Sequence, residues 1–168
     1  KYKGLQYLIK AEPIISKEID DFKIVLAFHG ENFGKYKKLI NNPERFEIHD
    51  RYIPSEEVSA FFQRASVVVL PYLEASQSGV IAISFAFGKP VIVTNVGSLT
   101  EVVQNGKTGI IVEPKDEVSL ASAIIKLLKE PNLRKDMGLN ARSFALNELT
   151  WDKISEKTVK IYKKYKRT

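Results

Sequence analysis

The part of the sequence best suited to chemistry runs from Leu70 to Asn95 and reads LPYLEASQSGVIAISFAFGKPVIVTN. An apolar run ends at Pro71, small polar residues follow, and a helix is predicted to begin near Ser78 and Gly79. The first-turn N–H groups of a helix point outward without partners, so a polar loop opening onto such a turn is a common anion site in parallel α/β proteins. The pattern therefore predicts an anion-binding site where this helix begins.

Short apolar runs alternate with helical patterns along the whole chain, and this order must position the loop. The predicted strands lie at residues 22–28, 46–50, 67–70, 91–94 and 109–112. The predicted helices lie at residues 4–19, 54–65, 79–87, 98–104, 116–129, 132–148 and 152–166, with a loop and short helix at 29–41. Such alternation is typical of an α/β fold with a Rossmann-like, doubly wound parallel sheet flanked by helices. Because the chain opens on a helix, we expect its first strand to lie outside these 168 residues.

Local signals refine the predicted elements. The run FKIVLAF at residues 22–28 is nearly all apolar, which predicts a strand buried on both faces. Pro13 predicts a kink or break in the first helix. Ser55 and Asp116 are predicted N-caps, and the sequence SLTE that begins at Ser98 has the form of a capping box.

Composition limits the classes of function. The formal net charge is +6, but the last 18 residues carry seven Lys/Arg and two acids, so residues 1–150 are almost neutral. A neutral body with a basic tail argues against a nucleic-acid-binding protein. The chain has no cysteine, which excludes disulfides and thiolate metal sites and favours the cytoplasm. No stretch approaches the ~18–20 apolar residues of a membrane span.

Four sequence motifs resemble one enzyme family. YKGLQYLIKA, RYIPSEEVSAFFQRASVVVLPY, GKPVIVTNVGSLTEVVQNGKTGIIV and TWDKISEKTVKIY occur in this order. Together they resemble the C-terminal half of a GT-B fold glycosyltransferase of group 1, family 4. The resemblance implies two Rossmann-like domains facing a cleft, of which the C-terminal domain binds the nucleotide-sugar donor and the N-terminal domain binds the acceptor. Residues 1–150 would form the donor domain, and residues 151–168 a basic amphipathic helix packed on it or on the absent N-terminal domain.

The resemblance assigns roles to residues of the loop and its surroundings. Ser78, Gly79 and Val80 match the helix turn that holds the donor diphosphate, and Lys3 matches a lysine that reaches the same group. Glu74, Ser76 and Gln77 would face the donor sugar. Gly30, Tyr52 and Ile53 match the places that recognise the base and ribose. No metal and no cofactor is implied, because the lysine and the helix dipole supply positive charge.

One family feature is missing. The family has two glutamates separated by seven residues, and counting back from Gly88 puts the second at Ile83 and the first at Ala75. Glu74 lies one residue early, and no acid occurs at Ile83 or beside it. Either the loop ASQSG serves an active variant of the site, or the site has decayed. We favour the active variant, because Lys3, the base loop and the Gln-Ser-Gly sequence are all retained.

The expected function is transfer of a sugar from a UDP- or GDP-sugar to a glycan or lipid-linked acceptor, with retention at the sugar. The acceptor-side catalytic groups are expected in the N-terminal domain, so this chain alone should bind nucleotide without turnover. A sugar-nucleotide 2-epimerase of the same fold, or a non-catalytic nucleotide-binding or assembly module, are the alternatives.

The tail predicts a second contact surface. Trp151, Ile154, Thr158, Ile161 and Tyr165 recur at three- and four-residue steps and form an apolar stripe on the final helix. The stripe is expected to pack on a protein domain. The alternative is that Tyr162, Tyr165 and the lysines meet an anionic surface at the inner face of the membrane.

Overall fold

The structure is a computed structural model that describes residues 2–30 and 32–165. The strands are β1 (Ile24–Phe28), β2 (Phe46–Asp50), β3 (Val68–Leu70), β4 (Val91–Thr94) and β5 (Gly109–Val112). The helices are α1 (Leu5–Ile15), α2 (Gly34–Lys37), α3 (Ser55–Arg64), α4 (Gly79–Ala86), α5 (Leu99–Val102), α6 (Glu117–Lys129), α7 (Pro131–Glu148) and α8 (Trp151–Tyr165). Each predicted strand is present, which confirms the alternating α/β order. Residues 166–168, where the predicted last helix ends, lie outside the described residues.

The strands form two parallel sheets. β1 pairs with β2, with Phe28 opposite Asp50, and β3, β4 and β5 pair in that order, with Val91 of β4 opposite Gly109 of β5. In the standard Rossmann order 3-2-1-4-5-6, the first strand lies between the second and the fourth. When β1 to β5 are counted as the second to sixth strands of that order, the break between the two sheets falls where the first strand of the order would lie. Within the described residues, the facing edges of β1 and β3 have no strand partner.

β1 is not buried on both faces, so this prediction was wrong. Ile24, Leu26 and Phe28 face the core, whereas Val25 and Ala27 on the opposite face are exposed. A central strand needs a neighbour on each edge and a layer on each face to be fully enclosed. The face of β1 that carries Val25 and Ala27 is therefore open to solvent.

Helices cover both faces of the three-stranded sheet. On one side, α1 and α6 contribute Ile9, Ile15, Leu120 and Leu127 to a core that also includes Ile92 of β4. On the other side lies a second core, whose buried residues include Ile81, Phe85, Val91, Val93, Leu99 and Ala141. Val91, Ile92 and Val93 are fully buried, so β4 has the enclosed position expected in a doubly wound sheet.

The ends of the helices follow the sequence only in part. The Asp116 carboxylate accepts hydrogen bonds from the Val118 and Ser119 amides, which confirms it as the N-cap of α6. α3 begins at Ser55 with Pro54 as its N-cap, so the predicted Ser55 cap was wrong. Pro13 lies inside α1, which continues through it to Ile15, so the helix does not break at this residue.

α8 lies outside both cores. Each of its residues from Trp151 to Tyr165 is exposed, and Trp151 keeps 85% of its accessible surface. An ion pair between Lys157 and Glu148 at 2.8 Å joins it to the end of α7. The predicted packing of this helix on a second domain stays a prediction. None of the helices described here has the length and hydropathy needed to span a membrane.

Candidate functional site

The N-terminal segment Tyr2–Gly4 is fastened to the chain just after β3. The Leu73 amide donates a hydrogen bond to the Tyr2 carbonyl oxygen at 2.7 Å, and the Tyr2 and Tyr72 rings meet edge to face with centroids 5.8 Å apart. Gly4 has a φ of +63°, and a Cβ atom there would overlap the Pro71 carbonyl oxygen. Lys3 is therefore held beside the loop of residues 71–78, which we call the β3–α4 loop.

The Lys3 side chain is half-buried. Among residues 2–30 and 32–165, its ammonium group has no hydrogen-bond or ion-pair partner. A cation in this position can therefore compensate a ligand's negative charge without first breaking an internal pair. Lys3 and the β3–α4 loop, which are 68 or more residues apart in sequence, are brought together as the resemblance requires.

The N-terminus of α4 has no side-chain cap. Ser78 is the N-cap residue with extended φ and ψ angles, but its side chain makes no capping hydrogen bond. Its hydroxyl instead bonds with Tyr72: burial raises the pKa of Tyr72, and this bond acts in the opposite direction. Gly79 is exposed, and a Cβ atom there would meet nothing within 4 Å. The first turn is thus open to an anion, and the diphosphate roles of Ser78, Gly79 and Val80 stay predictions.

The predicted sugar-facing residues lie on the exposed part of the same loop. Glu74, Ser76 and Gln77 are all exposed. Ser98, predicted as the cap of α5, does not cap that helix, so this prediction was wrong. Its hydroxyl donates to the Ser76 carbonyl oxygen at 2.5 Å because the turn after β4 lies against the loop. No feature of the local sequence announces this contact, since a serine before a helix is normally a cap.

The position of the missing second glutamate is on the surface. Ile83 lies on α4, and 40% of its surface is exposed. A carboxylate at this position would reach solvent and would not be buried without a partner. The site therefore has room for the family's acid but presents an apolar side chain there.

The predicted base-binding places meet at the ends of β1 and β2. The Arg51 amide donates to the Phe28 carbonyl oxygen at 3.0 Å, which brings the turn at Gly30 next to the segment of Tyr52 and Ile53. Gly30 has a φ of +82°, and Tyr52 is 67% exposed. Arg51 donates to the Tyr52 carbonyl oxygen and pairs with Glu57, which keeps this segment in place. A role in binding the base stays a prediction for Gly30, Tyr52 and Ile53.

A charged cluster joins β2 to the carboxyl end of α3. Glu47 of β2 accepts hydrogen bonds from Arg64 of α3 and pairs with the His49 ring at 2.7 Å. The Arg64 bond, followed by the His49 bond, lowers the pKa of Glu47 to about 2. His49 also meets the Phe61 ring edge to face. These contacts account for His49 as a structural residue that ties β2 to α3.

The comparisons with known proteins agree on one family. A family model described as "Glycosyl transferases group 1" matches residues 1–130. The chain is 30% identical over 168 residues to a D-inositol 3-phosphate glycosyltransferase of Pseudarthrobacter chlorophenolicus, covering 96% of this chain and 40% of that protein. The chain thus spans less than half the length of the curated relatives it matches.

Solved structures show the same fold. The C-terminal domain of a group 1 glycosyl transferase from Francisella tularensis superposes with a TM-score of 0.81 at 19% identity, covering 89% of this chain and 81% of that domain. The Anabaena protein HepE, solved in complex with UDP-glucose, superposes with a TM-score of 0.82 at 17% identity, covering 97% of this chain and 46% of HepE. The motifs, the fold and the family model agree, and the chain belongs to the group 1 glycosyltransferases, with the Rossmann-like architecture of one half of a GT-B fold.

Proposed function

We propose that this chain is the donor-binding domain of a glycosyltransferase that uses a nucleotide-diphosphate sugar. The diphosphate lies at the first turn of α4, against Ser78, Gly79 and Val80, with Lys3 as its counter-charge. The observation that carries this proposal is that an unpaired, half-buried ammonium group lies beside the loop that ends in an uncapped helix N-terminus. Both features favour the charge that accumulates on a nucleoside diphosphate as it leaves the sugar.

The rest of the donor is assigned to the flanking residues. Glu74, Ser76 and Gln77 face the sugar, since they are the exposed polar side chains that precede the diphosphate turn. Gly30, Tyr52 and Ile53 hold the base and ribose, supported by the Arg51–Phe28 bond that aligns them. The donor is a UDP- or GDP-sugar. HepE, which shares the fold, was solved with UDP-glucose.

The reaction is transfer to a glycan or lipid-linked hydroxyl with retention at the sugar. We place the acceptor and its catalytic groups in a second, N-terminal GT-B domain of the same protein, because the curated relatives are more than twice as long as this chain. Donor groups lie on the β3–α4 loop, and no acceptor-side group is assigned here. The chain alone therefore binds nucleotide and does not transfer sugar.

Calorimetric titration with UDP, GDP and their glucose or mannose derivatives tests the proposal. Lys3→Ala should weaken nucleotide binding by about ten-fold or more, because a hydrogen bond to a charged group contributes about 1.5–3 kcal/mol. Lys107→Ala is the matched control. Lys107 is an exposed lysine in the turn that precedes β5, at the opposite ends of the strands from the β3–α4 loop.

Equal affinity in Lys3→Ala and the parent would remove Lys3 from the site. Failure of the parent chain to bind any of these nucleotides would contradict the donor-binding function itself. Melting curves of each variant separate a loss of affinity from a loss of folding.

We also propose that α8 contacts an anionic membrane surface, where lipid-linked acceptors are found. Lys153, Lys157 and Lys160 are paired with Glu156 or Glu148. Lys163 and Lys164 have no acidic partner in the described part of the chain, and they lie between the exposed Tyr162 and Tyr165. Aromatic rings beside free lysines suit the interface between water and lipid, and lysine is depleted in protein interfaces.

A further inference from the structure

The turn between β4 and α5, residues 94–98, touches the β3–α4 loop at successive points. We propose that Ser98 in this turn is a positioning residue for the donor sugar, acting through the backbone of Ser76 and Gln77. The inference rests on the proposed function, because it concerns the sugar-facing part of the same loop. Ser98 itself is assigned no contact with the donor.

Three contacts hold the loop, and each is made to a backbone carbonyl group. The Thr94 hydroxyl donates to the Tyr72 carbonyl oxygen at 2.5 Å, in a buried position. Gly97, with a φ of +50°, lies against the Ala75 carbonyl oxygen so closely that a Cβ atom there would overlap it. The Ser98 hydroxyl donates to the Ser76 carbonyl oxygen at 2.5 Å. The turn therefore fixes the path of the loop and not the rotamers of its side chains.

The Ser98 contact also orients an N–H group. In a trans peptide, the C=O of one residue and the N–H of the next point in opposite directions in one plane. Holding the Ser76 carbonyl oxygen toward Ser98 therefore points the Gln77 N–H away from the turn. Because Gly97 lies against the Ala75 carbonyl oxygen, the Ser76 N–H likewise points away from the turn. In the described part of the chain, neither amide has a hydrogen-bond partner, so both are donors available to a ligand.

Nothing else in the loop fixes these two peptide groups. The side chains of Ala75 and Ser76 are small, and no side chain between Leu73 and Gln77 bonds to the loop's own backbone in the residues described. Ser98 is not needed as a helix cap, because its hydroxyl makes no bond to α5. Without the Ser98 hydroxyl, the Ser76–Gln77 peptide can rotate and the Gln77 amide no longer keeps one direction, whereas Gly97 still holds the Ala75–Ser76 peptide.

The test compares ligands in Ser98→Ala. Affinity for UDP-glucose or GDP-mannose should fall by about five-fold, the usual effect of one hydrogen bond. Affinity for bare UDP or GDP should stay within about two-fold of the parent, since the diphosphate turn lies beyond the rotated peptide. Ser98→Thr keeps the hydroxyl and should restore sugar binding. Ser122→Ala removes a similar hydroxyl-to-carbonyl bond from α6, far from the loop, and should change neither affinity.

Backbone 15N relaxation provides a readout that needs no ligand. The Gln77 amide should have a lower order parameter in Ser98→Ala than in the parent or Ser98→Thr. If the order parameter falls but the parent binds no nucleotide, the proposed function fails and the pinning of the loop stands. Two results with a parent that binds nucleotide sugars would contradict the role of Ser98. In the first, Ser98→Ala loses the same affinity for nucleotide sugars and for bare nucleotides; in the second, it loses affinity for neither.

Discussion

The β3–α4 loop and helix α8 both carry exposed polar side chains, yet they are attached to the molecule in opposite ways. The loop has no regular structure, but Tyr2, Thr94 and Ser98 bond to its backbone, and Gly4 and Gly97 lie directly against it. α8 is a regular helix of 15 residues without one buried side chain. Regular secondary structure therefore says little about how firmly a segment is held in place.

The difference lies in the kind of contact. The loop is held by hydrogen bonds to its backbone and by glycines packed directly against it. Both kinds of contact allow only one arrangement of the loop. α8 is joined to α7 by the pair of Lys157 and Glu148, which are both about half exposed. Exposed ion pairs contribute little because water screens them and long side chains lose entropy. A site that must fix a ligand needs a firmly held segment such as the β3–α4 loop. A segment that docks on another surface, as proposed for α8, needs little attachment to its own domain.

The largest expected effect concerns Gly4. Gly4→Ala should lower the free energy of unfolding by about 3 kcal/mol or more, because a left-handed backbone disfavours alanine and the new Cβ atom overlaps the Pro71 carbonyl oxygen. Urea denaturation measures the change. Gly106→Ala is the control, since Gly106 has a φ of +77° with nothing within 4 Å, and it should cost only about 1 kcal/mol. Equal losses would mean that the close approach at Pro71 does not hold the N-terminal segment.

An intermediate effect concerns Glu47, whose pKa is lowered to about 2 by the Arg64 and His49 bonds. Because this value lies below the ordinary 4.5, the ionised carboxylate stabilises the fold fully above pH 4.5, and the contribution is lost as pH falls toward 2. Glu47→Gln should therefore cost about 1 kcal/mol at pH 7, allowing for solvent screening, and less at pH 3. Urea midpoints at both pH values measure this. A loss that is the same at both would assign the effect to packing.

Glu148→Gln is the matched control from the α8 attachment. Its pKa is lowered by the Lys157 bond, but the carboxylate is exposed. We expect a smaller shift of the urea midpoint than for Glu47→Gln. A shift as large as that of Glu47→Gln would show that α8 is held as firmly as β2.

Removal of α8 is expected to have the smallest effect on the stability of the rest of the chain. The free energy of unfolding of a chain ending at Thr150 should lie within about 0.5 kcal/mol of the parent's, since surface changes away from packed features are usually that small. The shortened chain should also keep its nucleotide affinity.

Co-sedimentation with phosphatidylglycerol vesicles should show binding of the parent at low salt and none of the shortened chain. Lys163→Glu with Lys164→Glu should abolish vesicle binding, whereas Lys153→Glu with Lys157→Glu should reduce it less. Vesicle binding that does not depend on lipid charge would contradict the proposed contact with an anionic membrane and would leave a protein partner as the target of α8.

The sequence predicted those elements whose signals are local. Each strand reads as a short apolar run, and Asp116 caps α6 because its carboxylate meets amides two and three residues later. Ser55 and Ser98 carry the same local signal, but Pro54 and the Ser76 carbonyl oxygen changed the outcome. The exposure of Val25 was also not predictable, because burial depends on which strands are present beside β1.

Buried polar contacts between distant residues escaped prediction for the same reason. Glu12 looks like a solvated residue of α1, but it is fully buried and accepts hydrogen bonds from Ser16 and Asn42. The candidate site is marked in the sequence by family motifs, as at Lys3 and Gly79, whose roles in donor binding stay predictions. Its support by Thr94, Gly97 and Ser98 depends on tertiary contact and has no signature in the residues themselves.

The free edges of β1 and β3 have a consequence for the chain in solution. β1 reads IVLAF and β3 reads VVL, without a charge, a proline or a bulge to discourage pairing. Unpaired strand edges are templates on which another strand can add, and natural proteins normally cover or charge them. Two such edges in one molecule can each recruit a neighbouring copy. At high concentration the isolated chain is therefore disposed to associate through β-pairing, and a strand that occupied the gap would act as the fold's own guard against aggregation.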